Sequence, residues 1–225
     1  MLNRIEQAPM PYKWTFIVAP FIIALGMYGG TNPVPLSWLA LLAAGSAVLV
    51  LMFGKETFLS FFKKMKKGSW KPIFVAIVLG YLVSIVASAV GPLLGQGALQ
   101  ENGIINSLAQ PTLWGNIVTL TTLGISLIGE EVITASIAFP VYYLLVKKIG
   151  RKQAWIWAAL ISAALFGMMH FNAYNGNWYQ MLIVIGVGRL PFTYAWTKTD
   201  SLWGGIIAHV VYDFLIFIPV MMGVL

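Results

Sequence analysis

Five ionisable side chains lie within apolar stretches of this chain. They are Glu130, Glu131, His170, His209 and Asp213, and the two histidines are the only ones in the sequence. Placing an ionisable group inside a membrane is costly in free energy, so groups of this kind usually mark a functional site. We therefore predict that the five converge in one buried catalytic site.

The types and spacing of these groups suit hydrolysis of an amide bond. A carboxylate and an imidazole that share a water molecule can deprotonate it for attack on a carbonyl carbon, and a second imidazole can stabilise the resulting oxyanion. His209 and Asp213 are four residues apart, as are Phe166 and His170, so each pair shares one face of a helix. The predicted catalytic residues, which could alternatively bind zinc, are Glu130, His170, His209 and Asp213.

The composition predicts an integral membrane protein. Hydrophobic residues make up 59% of the chain and charged residues only 9%, far from the balance of a soluble domain. We predict an all-α, polytopic transmembrane helix bundle that forms a single domain over residues 1–225. The chain has no cysteine, which excludes thiolate nucleophiles and disulfides.

Hydrophobicity divides the chain into seven apolar segments. They are 14–30, 34–53, 73–94, 115–146, 153–171, 178–196 and 201–223. Most tryptophans, including Trp196, fall near the segment ends, which predicts interfacial positions for them. The lysine-rich connections after the second and fourth segments predict a cytoplasmic N-terminus, in a bacterial or archaeal cell membrane. The basic run 58–67 is interpreted as an ordinary cytoplasmic loop, and no nucleic-acid partner is expected.

The fourth segment is longer than one upright crossing requires. A helix over 115–146 would extend about 48 Å, whereas the hydrocarbon core is about 30 Å thick. The helix must therefore tilt or break, and Gly129 is the natural point for a break. Two separate spans here would give eight crossings; we favour seven.

The two histidines present a problem of depth. Counting from the cytoplasmic ends of their segments places His170 roughly 25 Å across the membrane and His209 about 12 Å across. Upright helices would keep the two imidazoles apart. One shared site requires a tilted helix or a helix that starts deeper than its segment suggests.

Three motifs, in order along the chain, resemble the signatures of the CPBP intramembrane proteases, a family that includes type II CAAX prenyl endopeptidases and Abi proteins. The family signatures are Glu-Glu-x-x-x-Arg, Phe-x-x-x-His and His-x-x-x-Asn/Asp on separate transmembrane helices. The chain has Glu130-Glu131-Val-Ile-Thr-Ala135, Phe166-Gly-Met-Met-His170 and His209-Val-Val-Tyr-Asp213. The resemblance covers about residues 115–216, which we predict to be the catalytic core.

The resemblance implies an intramembrane endopeptidase that cleaves a membrane-associated, hydrophobic or lipidated protein, such as a prenylated CAAX protein. By this resemblance, Glu130 and His170 would activate water. His209 and Asp213 would stabilise the oxyanion or complete a metal site, for which zinc is the expected ion. The supporting residues are Glu131, Phe166 and Arg189.

One position departs from the family pattern, because Ala135 stands where the first motif has arginine. Arg189 is the only arginine or lysine deep within an apolar segment, and we hypothesise that it supplies the missing charge from another helix. The departure also favours an alternative function, that of a noncatalytic relative that binds a peptide or a partner protein. An ion- or proton-coupled transporter is a further alternative.

Overall fold

The computed structural model describes residues 1–9, 11–32, 34–96, 99–100 and 112–222, and these are predominantly helical. The helices are α1 Leu2–Gln7, α2 Thr15–Thr31, α3 Ser37–Phe61, α4 Trp70–Leu93, α5 Leu113–Ile149, α6 Arg151–Met169, α7 Leu190–Thr199 and α8 Leu202–Met221. A π-helical turn, Gln180–Gly186, and a 3-10 turn, Val187–Arg189, lie between α6 and α7.

Each of the seven predicted apolar segments corresponds to helix. Within the described residues, α3, α4, α5, α6 and α8 are long and apolar enough to cross a membrane, and α2 is a shorter apolar helix of 17 residues. The segment predicted at 178–196 is built from the π turn, the 3-10 turn and α7. The prediction of an all-α transmembrane helix bundle is confirmed.

Helix α5 is continuous over 37 residues, so the predicted break at Gly129 is wrong. Gly129 instead allows a close helix crossing, because a Cβ atom there would lie 2.8 Å from the backbone nitrogen of Leu42 in α3. The eight-span alternative required a division of this segment, and no division is present. A helix of this length, about 55 Å, has to tilt or to extend beyond the hydrocarbon core.

Helix α5 is also the centre of the bundle. Nine consecutive residues, 131–139, are all buried, so every face of the helix is covered over more than two turns. Helix α3 crosses this stretch at Gly45, where a Cβ atom would lie 2.7 Å from the backbone nitrogen of Ile133. Small residues let membrane helices approach to backbone contact, which strengthens their packing.

Helix α3 changes direction at Gly54, which has a positive φ of 79° that glycine adopts readily. The kink lies where the predicted segment 34–53 ends. The following turns of α3 pack back on the bundle, with the ring of Phe61 buried edge-on against Phe53.

Two glycines bring α6 against the π turn. A Cβ atom on Gly167 would lie 2.1 Å from the carbonyl oxygen of Met181, and one on Gly186 would lie 3.0 Å from the carbonyl oxygen of Ala163. The two elements are therefore in backbone contact. This contact fixes the π and 3-10 turns, and with them Arg189 at their end.

Helix α8 begins inside the protein. Ser201 and Leu202 are both fully buried, and the Ser201 hydroxyl donates a 2.7 Å hydrogen bond to the carbonyl oxygen of Lys63. The loop after α3 thus covers the start of α8. The first residues of α8 are therefore covered by another part of the protein.

Helix α1 lies outside the spanning helices and contacts the bundle through charged side chains. Arg4 contacts Asp200 at 2.9 Å, next to the start of α8. Glu6 accepts hydrogen bonds from Arg151 at 3.0 and 2.8 Å and from the hydroxyl of Tyr142. These bonds tie α1 to α5 and α6 and hold the pKa of Glu6 below its ordinary value of 4.5.

We expect Gly45→Ala to lower the thermal stability of the purified protein. The added methyl group would meet the α5 backbone, and overpacking of this kind costs about 1–3 kcal/mol. Gly124→Ala is the matched control, because a Cβ atom there meets only the ring of Phe214 at an ordinary 3.5 Å. Equal melting temperatures for the two variants would contradict the close crossing.

The Glu6 contacts predict a pH dependence of stability. A carboxylate whose pKa is lowered by folding stabilises the native state above its ordinary pKa, and this contribution is lost as the pH falls through the lowered value. As the pH is taken from neutral to below 4.5, the melting temperature of the wild type should therefore fall more steeply than that of Glu6→Gln. Glu56→Gln, which changes an exposed carboxylate of α3, should follow the wild type. Parallel pH profiles for Glu6→Gln and the wild type would show that the Glu6 contacts do not contribute.

Candidate active site

One cavity of about 110 Å³ gathers side chains from α4, α5, α6, α8 and the turns before α7. Six of the seven predicted site residues line it, namely Glu130, Phe166, His170, Arg189, His209 and Asp213. The seventh, Glu131, lies next to this cavity and is fully buried. The cavity has room for several water molecules.

The two histidines share this cavity despite the depths counted from the sequence. The Phe166 ring lies between them, with its centroid 4.9 Å from that of His170 and 6.2 Å from that of His209. His170 follows the last residue of α6, whereas His209 lies in the third turn of α8. The end of α6 and the middle of α8 therefore meet at this cavity.

Glu131 is the acceptor for three hydrogen-bond donors from two other parts of the chain. The Arg189 guanidinium donates to Oε1 at 2.5 Å, Trp196 Nε1 donates to Oε2 at 2.7 Å, and His209 Nδ1 lies 3.0 Å from Oε1. An ionised carboxylate accepts without donating, so three converging donors are the surroundings of a charged Glu131. The buried ion pair with Arg189 balances its charge.

The contact with Glu131 fixes the hydrogen on one nitrogen of His209. Because a carboxylate only accepts, the hydrogen of this bond belongs to Nδ1. The other nitrogen, Nε2, is 3.6 Å from Asp213 Oδ2 and 3.9 Å from Glu130 Oε2. The Phe192 ring stacks on the imidazole, with 4.7 Å between centroids and 19° between planes. His209 is thus held in position, with Nε2 directed toward two acidic groups.

His170 is oriented by the backbone of its own helix. Its Nδ1 lies 3.0 Å from the carbonyl oxygen of Phe166, and a carbonyl can only accept, so Nδ1 carries a hydrogen. In the neutral imidazole this leaves Nε2 with the lone pair, which suits a base or an acceptor for water. The Tyr174 ring stacks on the imidazole at 6.0 Å.

Arg189 occupies the position expected of a cation that compensates for Ala135. Its guanidinium pairs with Glu131, donates to Thr193 at 3.1 Å and lies 4.6 Å above the Phe166 ring. Ala135 is one helical turn after Glu131 and fully buried. The charge next to this carboxylate therefore comes from the turn before α7.

Several residues at the site were not predicted from the sequence. Ser84, Tyr174, Phe192 and Tyr212 all line the cavity. The Tyr212 hydroxyl donates to the Ser84 hydroxyl at 2.9 Å. This polar contact with α4 was not expected, because the apolar segment that forms α4 contains no charged residue. Trp196 was predicted to be interfacial, and that prediction is wrong. Its indole is fully buried in the hydrophobic core, and its N–H group donates to Glu131.

Gly205 leaves room for the hydrogen bond between Trp196 and Glu131. A Cβ atom on Gly205 would lie 2.1 Å from Trp196 Nε1 and 2.7 Å from Glu131 Oε2. A larger residue would therefore displace both partners. The two glycines that precede the second histidine in the sequence were a visible signal of this close packing.

Zinc binding by Glu130, His170, His209 and Asp213 stays a prediction. Among the described residues, no three imidazole or carboxylate side chains come together in an arrangement that could hold a metal ion.

Replacing Arg189 should destabilise the protein strongly, because Arg189→Met would leave the charge of Glu131 buried without a partner. Breaking a buried pair in this way costs about 3–5 kcal/mol. Arg151→Met is the control, since it removes an arginine from an exposed pair with Glu6 and should change the melting temperature much less.

The double variant Arg189→Met/Glu131→Gln should recover part of the lost stability, since neither charge is then left alone. Thermal unfolding of the four proteins measures this. A double variant as unstable as the sum of its two single changes would argue against direct coupling.

Residues 111–215 match a family model described as "Type II CAAX prenyl endopeptidase Rce1-like". The matched region contains all seven predicted site residues, and the description names an endopeptidase, which is a peptide hydrolase. Comparison with curated proteins and with solved structures gave no match. The family resemblance seen in the three motifs is confirmed over residues 111–215, the C-terminal half of the chain that matches this family model.

Proposed function

We propose that the protein is an intramembrane endopeptidase that hydrolyses a peptide bond in a membrane-associated or prenylated, CAAX-type substrate. The observation that carries the proposal is the single cavity that Glu130, His170, His209 and Asp213 line together. The family supports peptide hydrolysis, and the apolar helices support a substrate that reaches the site from the membrane.

In the proposed mechanism, Glu130 and His170 activate a water molecule. Of the two adjacent glutamates, Glu130 lines the cavity, whereas Glu131 accepts hydrogen bonds from Arg189, Trp196 and His209. Glu130 accepts a proton from water, and the lone pair on His170 Nε2 orients the same molecule. The resulting hydroxide attacks the carbonyl carbon of the substrate, and the π electrons of the carbonyl move to its oxygen.

His209 is proposed to stabilise the oxyanion. Nδ1 of His209 donates to Glu131, and two carboxyl groups lie within 4 Å of Nε2. These surroundings favour an imidazolium, whose Nε2–H can donate to the negative charge that develops on the carbonyl oxygen. Asp213 positions this donor from one turn further along α8. The proton held by Glu130 then passes to the leaving nitrogen as the C–N bond breaks, which yields a carboxylic acid and an amine.

A second candidate function rests on Ala135. In a noncatalytic relative, the same cavity would bind a peptide or a partner protein without cleaving it. The pairing of Arg189 with Glu131 favours the catalytic function, because the carboxylate keeps a buried cation although the motif arginine is absent.

Cleavage of a panel of quenched fluorescent peptides, including farnesylated CAAX peptides, tests the proposal. We expect Glu130→Gln and His170→Ala each to lower kcat by about 10²–10⁴-fold, the usual contribution of general acid–base catalysis. Glu56→Gln removes an exposed carboxylate of α3 and should retain wild-type turnover. Unchanged kcat in Glu130→Gln would contradict the mechanism.

A chelator provides a separate arm of the same experiment. Loss of turnover on chelation, with recovery on addition of zinc, would replace the proposed mechanism by a zinc-dependent one. A folded wild-type protein that binds peptides of the panel but cleaves none would favour the noncatalytic function.

A further inference from the structure

A second concave site lies at the end of the bundle where the loop after α3 meets α4 and α7. It has a volume of about 270 Å³. Four lysines line it, namely Lys66, Lys67, Lys71 and Lys198, together with Gly68, Ser69, Pro72, Val75 and Tyr194. It shares no lining residue with the catalytic cavity.

The four ammonium groups have no acidic partner among the described residues. Asp200, the acid next to this region in sequence, is already occupied by Arg4 at 2.9 Å and Lys63 at 2.7 Å. Four cations that line one concave surface repel one another and favour an anion between them. A ligand with one or more negative charges would relieve this repulsion.

The backbone that carries these lysines is held in place. Lys66 N donates to the carbonyl oxygen of Thr199 at the end of α7, which joins the loop to that helix. Ser69 is buried and its hydroxyl donates to the carbonyl oxygen of Lys66 at 2.6 Å. Gly68 makes the intervening turn with a positive φ of 82°. The lysines therefore project from a fixed frame rather than from a free loop.

The wall of the site is apolar and continues onto the lipid-facing surface. Pro72, Val75 and Tyr194 form this wall. On α4, Trp70, Phe74 and Val78 follow at intervals of four residues and are 68%, 67% and 39% exposed. An amphiphile could therefore place a charged head among the lysines and run its chain along α4.

We propose that this site binds the phosphate headgroup of an anionic phospholipid, with the acyl chains against α4. The proposal rests on residues other than those of the candidate active site and does not depend on proteolysis. The chemistry that recognises the ligand is a phosphate between ammonium groups, and the apolar wall selects a lipid over free phosphate.

Native mass spectrometry of the purified protein with phosphatidylglycerol and phosphatidylcholine tests this site. Each lysine at an anionic lipid surface contributes about fivefold to binding, so Lys66→Gln/Lys71→Gln/Lys198→Gln should weaken phosphatidylglycerol binding by more than about tenfold. Phosphatidylcholine binding should be weak and unchanged. The matched control is Lys147→Gln/Lys148→Gln/Lys152→Gln, which removes the same charge from exposed lysines of α5 and α6. It should retain phosphatidylglycerol binding within about twofold of the wild type.

Three results would overturn the proposal. Equal losses in the two triple variants would show that lipid attraction is spread over all basic residues. Binding of inorganic phosphate as tight as that of phosphatidylglycerol, measured by thermal shift, would show that the apolar wall contributes nothing and that the site takes a free anion. Equal binding of phosphatidylglycerol and phosphatidylcholine by the wild type would show that the protein has no site selective for anionic phospholipid.

Discussion

The buried ion pair between Arg189 and Glu131 is the interaction on which the candidate site depends. A lone charge at this depth would be prohibitively costly, so each partner requires the other. Glu131 comes from α5 and Arg189 from the turn before α7, and His209 of α8 completes the group. Three parts of the chain that are distant in sequence are thereby held at one point, and the orientation of His209 follows from it.

The sequence predicted the groups of this site better than their contacts. Ionisable residues in apolar segments are visible without a structure, and the order of three motifs indicated that Glu130, His170 and His209 act together. The partner of each carboxylate was less accessible. Adjacent residues of a helix point about 100° apart, so one of two neighbouring glutamates faces the cavity while the other faces the helix interface. Which one does so depends on how α5 is rotated in the bundle, and that is set by tertiary packing.

Three sequence-based predictions differ from the structure for one physical reason. They concern a glycine, a tryptophan and the start of a helix. Gly129 was read as a weak point of a helix, although its lack of a side chain serves a close crossing with α3. Trp196 was read as interfacial, although its N–H group has a buried acceptor. Ser201 and Leu202, from which the depth of His209 was counted, are covered by another part of the protein. In each case the residue type allows two environments, and only its neighbours in space decide between them.

Helix α7 and the 3-10 turn before it contribute residues to both the candidate active site and the lysine site. Arg189, Thr193 and Trp196 follow at intervals of four and three residues, so they share the face that contacts Glu131 or its partner. Tyr194 and Lys198, also four apart, lie on another face, with the ammonium group 5.3 Å from the ring centroid at the lysine site. A rotation of α7 would therefore move the cation of Glu131 and the wall of the lysine site together. Because position 135 holds alanine, the cation that pairs with Glu131 comes from another part of the chain and across a helix interface.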